Sequence, residues 1–341
     1  MKGLTGRLWP AHPKPLPDEL LSSWLVRIAR ANGLKLQTFC VQVFGCDRQL
    51  WNRDIDRLAP DWLLQSLAQH TGTPLRRVVD TTLRRYQGTL YERKPAMGQL
   101  RWILCAGMYH RKRQAFGTLY CPRCLAADAE PYFRTHWRVA VLCHCSRHGV
   151  ELLDRCPRCE GPVALHRQEL GKPRSVESGP MSNCHICGAD LRNAPIEKAE
   201  FYDDSIAAVS NSIADLVEGR QSPLDAGHMA VLHQLCRIMV SHRWSARLAA
   251  YVACMLSLAP VSQATSVARW FESRTIAERR HIIQLASWLL AEPEDRISMA
   301  WKNRAARYSD LKRDMSKCPQ WFEALLRSMN KRRQVVGNRH W

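Results

Sequence analysis

The stretch that decides the fold of this sequence contains four short motifs: Cys121-Pro122-Arg123-Cys124, Cys145-Ser146-Arg147-His148, Cys156-Pro157-Arg158-Cys159 and Cys184-His185-Ile186-Cys187. Each has two residues between its terminal Cys or His side chains, and this spacing allows one tight turn, a zinc knuckle, to direct both at one ion. Two knuckles supply the four ligands of a tetrahedral zinc site. The sequence therefore predicts two zinc ions, one held by Cys121, Cys124, Cys145 and His148 and the other by Cys156, Cys159, Cys184 and Cys187.

Two neighbouring side chains could compete for these positions. Cys143 stands two residues before Cys145, and His185 follows Cys184. Cys145 is the preferred partner of His148 because their spacing matches that of the other knuckles, so we expect Cys143 and His185 to be bystanders. Because four protein ligands leave no open coordination position for water or substrate, we expect both ions to be structural rather than catalytic.

The cysteine content fits a reducing compartment. The 341 residues include 14 cysteines, but no N-terminal apolar core of signal-peptide length and no uncharged apolar stretch long enough to span a bilayer. We therefore expect a cytoplasmic chain with no membrane partner, in which the cysteines bind metal rather than form disulfides.

The chain is strongly and unevenly basic. Lys and Arg number 50 against 31 acidic residues, which gives a formal net charge of +19. Residues 1–119 carry 19 basic and 8 acidic side chains, residues 120–199 carry 11 and 9, and residues 200–341 carry 20 and 14. Such an excess favours a polyanionic partner, DNA or RNA, and makes the N-terminal third the expected nucleic-acid face. The alternative is a solvated basic surface with no binding site.

Hydrophobic periodicity predicts a mainly α-helical fold in three parts. Residues 1–119 form an N-terminal helical domain that resembles a helix-turn-helix domain. Residues 120–199 form a double zinc-ribbon or zinc-knuckle region with two sites, and residues 200–341 form a C-terminal helical domain. Three apolar stripes at helical spacing predict the helices of this last part: Ile206, Val209, Ile213 and Leu216; Leu232, Leu235, Ile238 and Met239; Ile282, Leu285, Ala286 and Leu289.

Helix boundaries can be read from start and stop signals in the N-terminal part. One helix is expected to open at Pro15–Glu19 and close at Asn32-Gly33, and a second to span about Leu36 to Phe44. A third should begin at Asp61 and be broken by Gly72.

A fourth helix, started by Thr73-Pro74, would complete a helix-turn-helix. Its expected buried side contains Leu75, Val78, Val79 and Leu83, with Thr73 as the cap. Arginines lie largely away from that side, and their planar fork of donors suits phosphate. The candidate nucleic-acid-binding residues are Arg76, Arg77, Arg84 and Arg85. A plain helical hairpin gives the same pattern, and both alternatives stay open.

Several of these motifs occur in a characteristic order. Pro15-Leu16-Pro17-Asp18-Glu19-Leu20 leads into Ser22-Ser23-Trp24-Leu25-Val26-Arg27-Ile28-Ala29 and Asn32-Gly33. The middle follows with Tyr120 to Cys124, Tyr132-Phe133-Arg134, Trp137-Arg138, Cys145, His148-Gly149, Leu152 and Cys156 to Cys159. Over about residues 10–200 the sequence resembles the TniQ family of transposition proteins, which includes the longer TnsD-type target selectors.

The resemblance implies an adaptor rather than a catalyst. Family members mark the insertion site and bring in an AAA+ ATPase, which in turn engages the transposase. Some read an attachment sequence in DNA themselves, and others dock, often as a dimer, on an RNA-guided CRISPR effector with its guide RNA. At 341 residues this chain is closer in length to the effector-docking members.

Two other classes of function share some of these features. A stand-alone, sequence-specific zinc-containing DNA-binding protein, either a TnsD-like target reader or a transcription regulator, would use the same knuckles and helix pair. An enzyme is not expected, because the sequence has no G-x-x-x-x-G-K-[ST] phosphate loop and reads as mostly helical outside the zinc region, without the alternating strands of a strand-transfer core.

Overall fold

The computed structural model describes residues 4, 6–46, 50–92, 98–106, 115–169, 179–240, 246–258, 270–313, 315 and 317–337. Within these ranges the chain forms thirteen α-helices and one two-stranded antiparallel sheet, which confirms the mainly helical class. The helices are α1 (Leu21–Ala31), α2 (Leu36–Phe44), α3 (Ile55–Leu58), α4 (Asp61–Thr71), α5 (Leu75–Asp80), α6 (Pro122–Ala127), α7 (Asp204–Val217), α8 (Ala226–Val240), α9 (Ala246–Met255), α10 (Ile276–Ala291), α11 (Pro293–Lys302), α12 (Tyr308–Lys312) and α13 (Gln320–Gly337). None of the helices in the described ranges is long and apolar enough to cross a bilayer.

Contacts divide the chain into two compact units. Unit 1 comprises Met1–Gln87 and Lys94–Ala199, and unit 2 comprises Gly88–Arg93 and Glu200–Trp341. The end of the predicted zinc region at residue 199 coincides with the end of unit 1. The boundary placed after residue 119 falls inside unit 1, so the division of this unit into two domains stays a prediction.

Helix α1 is the centre of unit 1 and is buried from Leu21 to Ala29. It begins later than the Pro15–Glu19 opening expected from the sequence. The backbone turns at Asp18 with a φ of 54°, and Glu19 then forms an antiparallel bridge with Arg134. The segment before α1 is therefore extended and joins the start of α1 to the central region at Arg134.

Helices α4 and α5 form the predicted pair around Gly72. Helix α4 ends where Gly72 adopts the left-handed conformation, with a φ of 61°, which glycine tolerates without strain. Helix α5 ends at Asp80 after only six residues. The hydroxyls of Thr81 and Thr82 donate back to carbonyl oxygens of the last turn of α5 at 2.7 Å, which turns the chain away from a helical course.

The early end of α5 corrects the expectation of one long arginine-bearing helix. Arg84 and Arg85 lie on a separate 3₁₀ turn, Leu83–Tyr86, and not on the helix that carries Arg76 and Arg77. The expected buried side is also only partly correct, because Leu75 is 45% exposed. In addition, Pro74 rather than Thr73 occupies the cap position, and it makes no side-chain capping hydrogen bond.

The central part of unit 1 has little regular structure. Its two strands, β1 (His144–Cys145) and β2 (Val150–Glu151), pair in antiparallel register with Cys145 opposite Val150. Two-residue strands cannot form a stable sheet on their own. This region therefore needs another source of rigidity, and it is here that the Cys and His side chains gather.

Helix α10 is the centre of unit 2 and packs against α7, α8, α9 and α11. It begins with a capping box, in which Thr275 and Glu278 each accept a hydrogen bond from the other's backbone N–H. The predicted apolar stripes supply its core, although Leu216 is only half-buried. The buried members are Ile206, Val209, Ile213, Leu232, Leu235, Ile238, Met239, Ile282, Leu285, Ala286 and Leu289.

Candidate metal centres

The first centre brings together Cys121, Cys124, Cys145 and His148, whose ligand atoms all lie within 4.8 Å of one another. The Nδ1 atom of His148 is 3.3 Å from the Sγ of Cys124 and 3.6 Å from those of Cys121 and Cys145. Four ligands at about 2.0–2.3 Å from a tetrahedral ion would be about 3.3–3.8 Å apart. The side chains are thus spaced to hold one tetrahedral metal ion.

Two different turns position these ligands. Cys121 is the N-cap of α6, with Pro122 in the first helical turn, and its Sγ accepts a hydrogen bond from the backbone N–H of Cys124 at 3.4 Å. On the other side, Cys145 ends β1 and the chain reverses through His148 and Gly149, whose φ is 61°. A helix start and a hairpin therefore face each other across the metal position.

The second centre gathers Cys156, Cys159, Cys184 and Cys187, again with all ligand atoms within 4.8 Å. The Sγ atoms of Cys156 and Cys187 are 3.6 Å apart, as are those of Cys159 and Cys184. These separations also match a tetrahedral ion with thiolate ligands.

Its two knuckles repeat one backbone pattern. Cys156 donates its N–H to Gly161 O at 2.9 Å, and Cys184 donates to Ala189 O at 2.8 Å. Each turn passes through a residue of positive φ directly after its second cysteine, Glu160 with 54° and Gly188 with 72°. Each knuckle is thus a small closed hairpin whose geometry is set locally.

The thiols of the second centre differ in acidity. Burial raises the pKa of Cys184 to about 12, whereas the backbone N–H of Ala189 lowers the pKa of Cys187 to about 7. A metal ion binds thiolates, so its charge would have to ionise Cys184 on binding.

Cys143 and His185 contribute no atom to either cluster. Cys143 is buried, and its Sγ approaches the carbonyl oxygen of Ala140 at 4.0 Å. The Nδ1 atom of His185 is buried beside Cys184 without a hydrogen-bond partner in the described part of the chain, and burial lowers the pKa of this imidazole.

The four candidate nucleic-acid-binding arginines fall into two pairs. Arg84 contacts the carboxylate of Asp61 at 2.6 Å, and Arg85 contacts that of Asp18 at 2.7 Å. Arg76 and Arg77 are exposed and form no ion pair with any residue that the structure describes. Only the second pair is therefore free to meet an external anion without giving up an internal partner.

A buried ion-pair network ties the helical segment to the central region, and the motif spacing gave no sign of it. The Arg138 guanidinium is 1% exposed and contacts Asp54 at 2.5 Å and Asp56 at 3.0 Å. Asp56 also accepts hydrogen bonds from the N–H and hydroxyl of Ser22 in α1. Burial raises the pKa of Asp56 to about 6, although Arg138 acts in the opposite direction. The Asp-x-Asp spacing and the Trp137-Arg138 pair were visible in the sequence but do not reveal that they meet.

Comparison with known proteins gives one family. Residues 10–152 match the TniQ family model. The match contains all four ligands of the first centre and ends before those of the second. No curated protein matches the chain. TniQ is a family of transposition-associated proteins. The resemblance seen in the sequence is confirmed over this range, where residues 10–152 are similar to the TniQ family.

Proposed function

We propose that this chain is a non-enzymatic adaptor in DNA transposition, which selects or marks the target site and recruits the AAA+ transposition ATPase. The observation that carries the proposal is the TniQ match over residues 10–152, which spans α1 to β2 and includes the complete first metal centre. Cytoplasmic location and docking on an RNA-guided CRISPR effector with its guide RNA, as a homodimer or a single copy, belong to the same proposal.

Zinc is the proposed metal in both centres. Thiolate and imidazole ligands in tetrahedral sets of four are the ligands of structural zinc. Cys121, Cys124, Cys145 and His148 would hold one ion, and Cys156, Cys159, Cys184 and Cys187 the other. With four protein ligands each, the ions would rigidify unit 1, and no coordination position is left for a substrate.

The proposed nucleic-acid contacts from the helix pair are those of Arg76 and Arg77. At about 1.5 Å per residue, the six residues of α5 are only about 9 Å long. The two exposed arginines have planar forks of donors that suit phosphate contact, as expected of an adaptor that binds DNA without reading its sequence. Arg84 and Arg85 would have to exchange an internal carboxylate for phosphate.

The test is targeted insertion in a reconstituted system, with and without this protein. We expect insertion at the target to require the chain, while the purified chain alone shows no nuclease, strand-transfer or ATPase activity. Co-purification of CRISPR effector subunits would identify the targeting partner. Targeted insertion at undiminished frequency without the chain would refute the adaptor role, and tight binding of the isolated chain to one defined duplex would favour the stand-alone reader.

A further inference from the structure

Three of the four knuckles carry an arginine at the same position, directly before their second ligand. These residues, Arg123, Arg147 and Arg158, all have exposed side chains. The fourth knuckle has Ile186 at this position, and its side chain lies over Gly161. The repeated placement at the tip of a fixed turn sets these arginines apart from others in the region.

The knuckle arginines form no ion pair or hydrogen bond with any residue in the described ranges. Two acidic residues that follow the first knuckle in the sequence pair with other arginines. Asp128 contacts Arg134 at 2.7 Å, and Glu130 contacts Arg27 at 2.8 Å. The positive charges at the knuckle tips are thus left without an internal counterion.

The two centres differ in the net negative charge of the ion with its ligands, and therefore in how much of the arginine charge that negative charge neutralises. A divalent zinc ion with three thiolates and a neutral imidazole sums to one negative charge, and four thiolates give two negative charges. Beside the first centre stand two arginines, Arg123 and Arg147, which leave one net positive charge. At the knuckle tips of the second centre stands only Arg158, while Arg155 pairs with Asp154 at 2.8 Å and Arg167 acts on His185 beside Cys184. Counted over the ion, its ligands and the tip arginines alone, the first centre therefore has a net positive charge and the second does not.

Arg123 and Arg147 also flank one position. They directly precede Cys124 and His148, whose Sγ and Nδ1 atoms are 3.3 Å apart. Two separate turns thus place Arg123 and Arg147 next to two ligands of the same metal position. Because the ligands fix the turns, less conformational freedom is lost when the arginines bind an anion.

We propose that Arg123 and Arg147 form a phosphate-binding surface on the first metal centre, which contacts the sugar-phosphate backbone of a nucleic acid without reading its sequence. The planar fork of arginine matches phosphate oxygens, and the chain's net charge of +19 favours a polyanion over a protein surface of mixed charge. The proposal rests on the proposed function only in that it takes DNA or guide RNA as the nearby polyanion.

The experiment measures binding of the zinc-loaded full-length protein to a short duplex of arbitrary sequence at several salt concentrations. The double variant Arg123→Ala with Arg147→Ala should lower the slope of log affinity against log salt by about 1.8, because each lost contact with a duplex phosphate removes about 0.9. The matched control is Arg53→Ala with Arg247→Ala, which removes the same charge from two other exposed arginines. Its slope should change by less than half as much, and Arg158→Ala should behave like the control. Zinc content and circular dichroism must be unchanged in every variant compared.

Arg123→Lys with Arg147→Lys keeps the charge but removes the bidentate fork, so we expect the slope to be retained while affinity falls. Equal slopes for the knuckle pair and its control would overturn the proposal, as would an unchanged slope in the knuckle variant or no duplex binding at low salt. Loss of binding to an acidic protein partner alone would also overturn it, by assigning the surface to protein.

The assay contains no transposition components, so a negative result does not bear on the adaptor role. If the protein proves dispensable for targeted insertion, the duplex-binding result is likewise unaffected.

Discussion

The two metal centres are built from similar knuckles but differ in how they join unit 1. In the first centre, Cys121, Cys124 and Cys145 are buried, and the backbone beside it pairs with distant segments. In the second, Cys159 and Cys187, one from each knuckle, are only half-buried. Ligand spacing therefore predicts where a metal binds but not how much of the fold depends on it.

The hydrogen bonds explain this difference. Next to the first centre, Tyr120 exchanges backbone hydrogen bonds with Leu153 at 2.8 and 3.0 Å, and Leu119 donates to Trp137 O at 2.8 Å. In the second centre the corresponding bonds close within each hairpin. Loss of the first metal should hence disturb unit 1 as a whole, whereas loss of the second should act locally.

The largest effect is expected from Cys121→Ser. Structural zinc contributes on the order of 10 kcal/mol, which is comparable to the stability of a whole domain. The variant should be insoluble or cleaved throughout unit 1, as measured by soluble yield and limited proteolysis. Cys143→Ser is the control and should behave like the wild type, and a soluble, protease-resistant Cys121→Ser protein would show that the first centre is not essential to the fold.

The next effect concerns the network that anchors the region of the first centre. Arg138→Met leaves Asp54 and Asp56 buried without their cation, so the free energy of unfolding should fall by about 3–5 kcal/mol. Arg192→Ala, which breaks a partly exposed pair with Asp190, should cost about 0–1 kcal/mol. Urea unfolding with zinc present measures both, and similar losses in the two variants would mean that the network is not a special anchor.

A smaller and more local effect is expected from Cys159→Ser. The variant should lose one metal equivalent and gain protease sites only within residues 155–193, while the first centre keeps its ion. In the wild type, a chelator should remove metal in two phases, the faster one from the half-buried second centre. A single phase, or global cleavage of the variant, would remove the distinction between the centres.

The smallest effect is a pH dependence of the free energy of unfolding that arises from Glu19, whose carboxylate is buried next to α1. Burial raises its pKa to about 7, with Arg27 acting in the opposite direction. The folded state thus holds this proton more tightly than the unfolded state, so the contribution to stability is present at low pH and is lost as pH rises through about 7. The stability of the wild type relative to Glu19→Gln should fall by on the order of 1–2 kcal/mol between about pH 5.5 and 7.5. A difference that is constant or rises over this range would contradict the assignment.

Local patterns in the sequence predicted much of this fold. The spacing of Cys and His gave both clusters, and apolar periodicity with Gly72 as a stop signal gave α2, α4 and the core stripes of unit 2. These features depend on residues close to one another in the chain, which is why they can be read from it.

Features that depend on distant residues could not be predicted in this way. Helix α1 starts late because Glu19 pairs with Arg134, and α5 stops early because Thr81 and Thr82 bond back to it. The meeting of Arg138 with Asp54 and Asp56 joins segments more than 80 residues apart. The hydrophobic periodicity of a single segment carries no information about such contacts between distant residues.

The most direct test of the central claim is the metal content of purified, folded protein. Two closed centres predict close to two zinc equivalents per chain by elemental analysis, falling to one in Cys159→Ser while circular dichroism stays helical. One equivalent or fewer in folded wild-type protein would contradict the account.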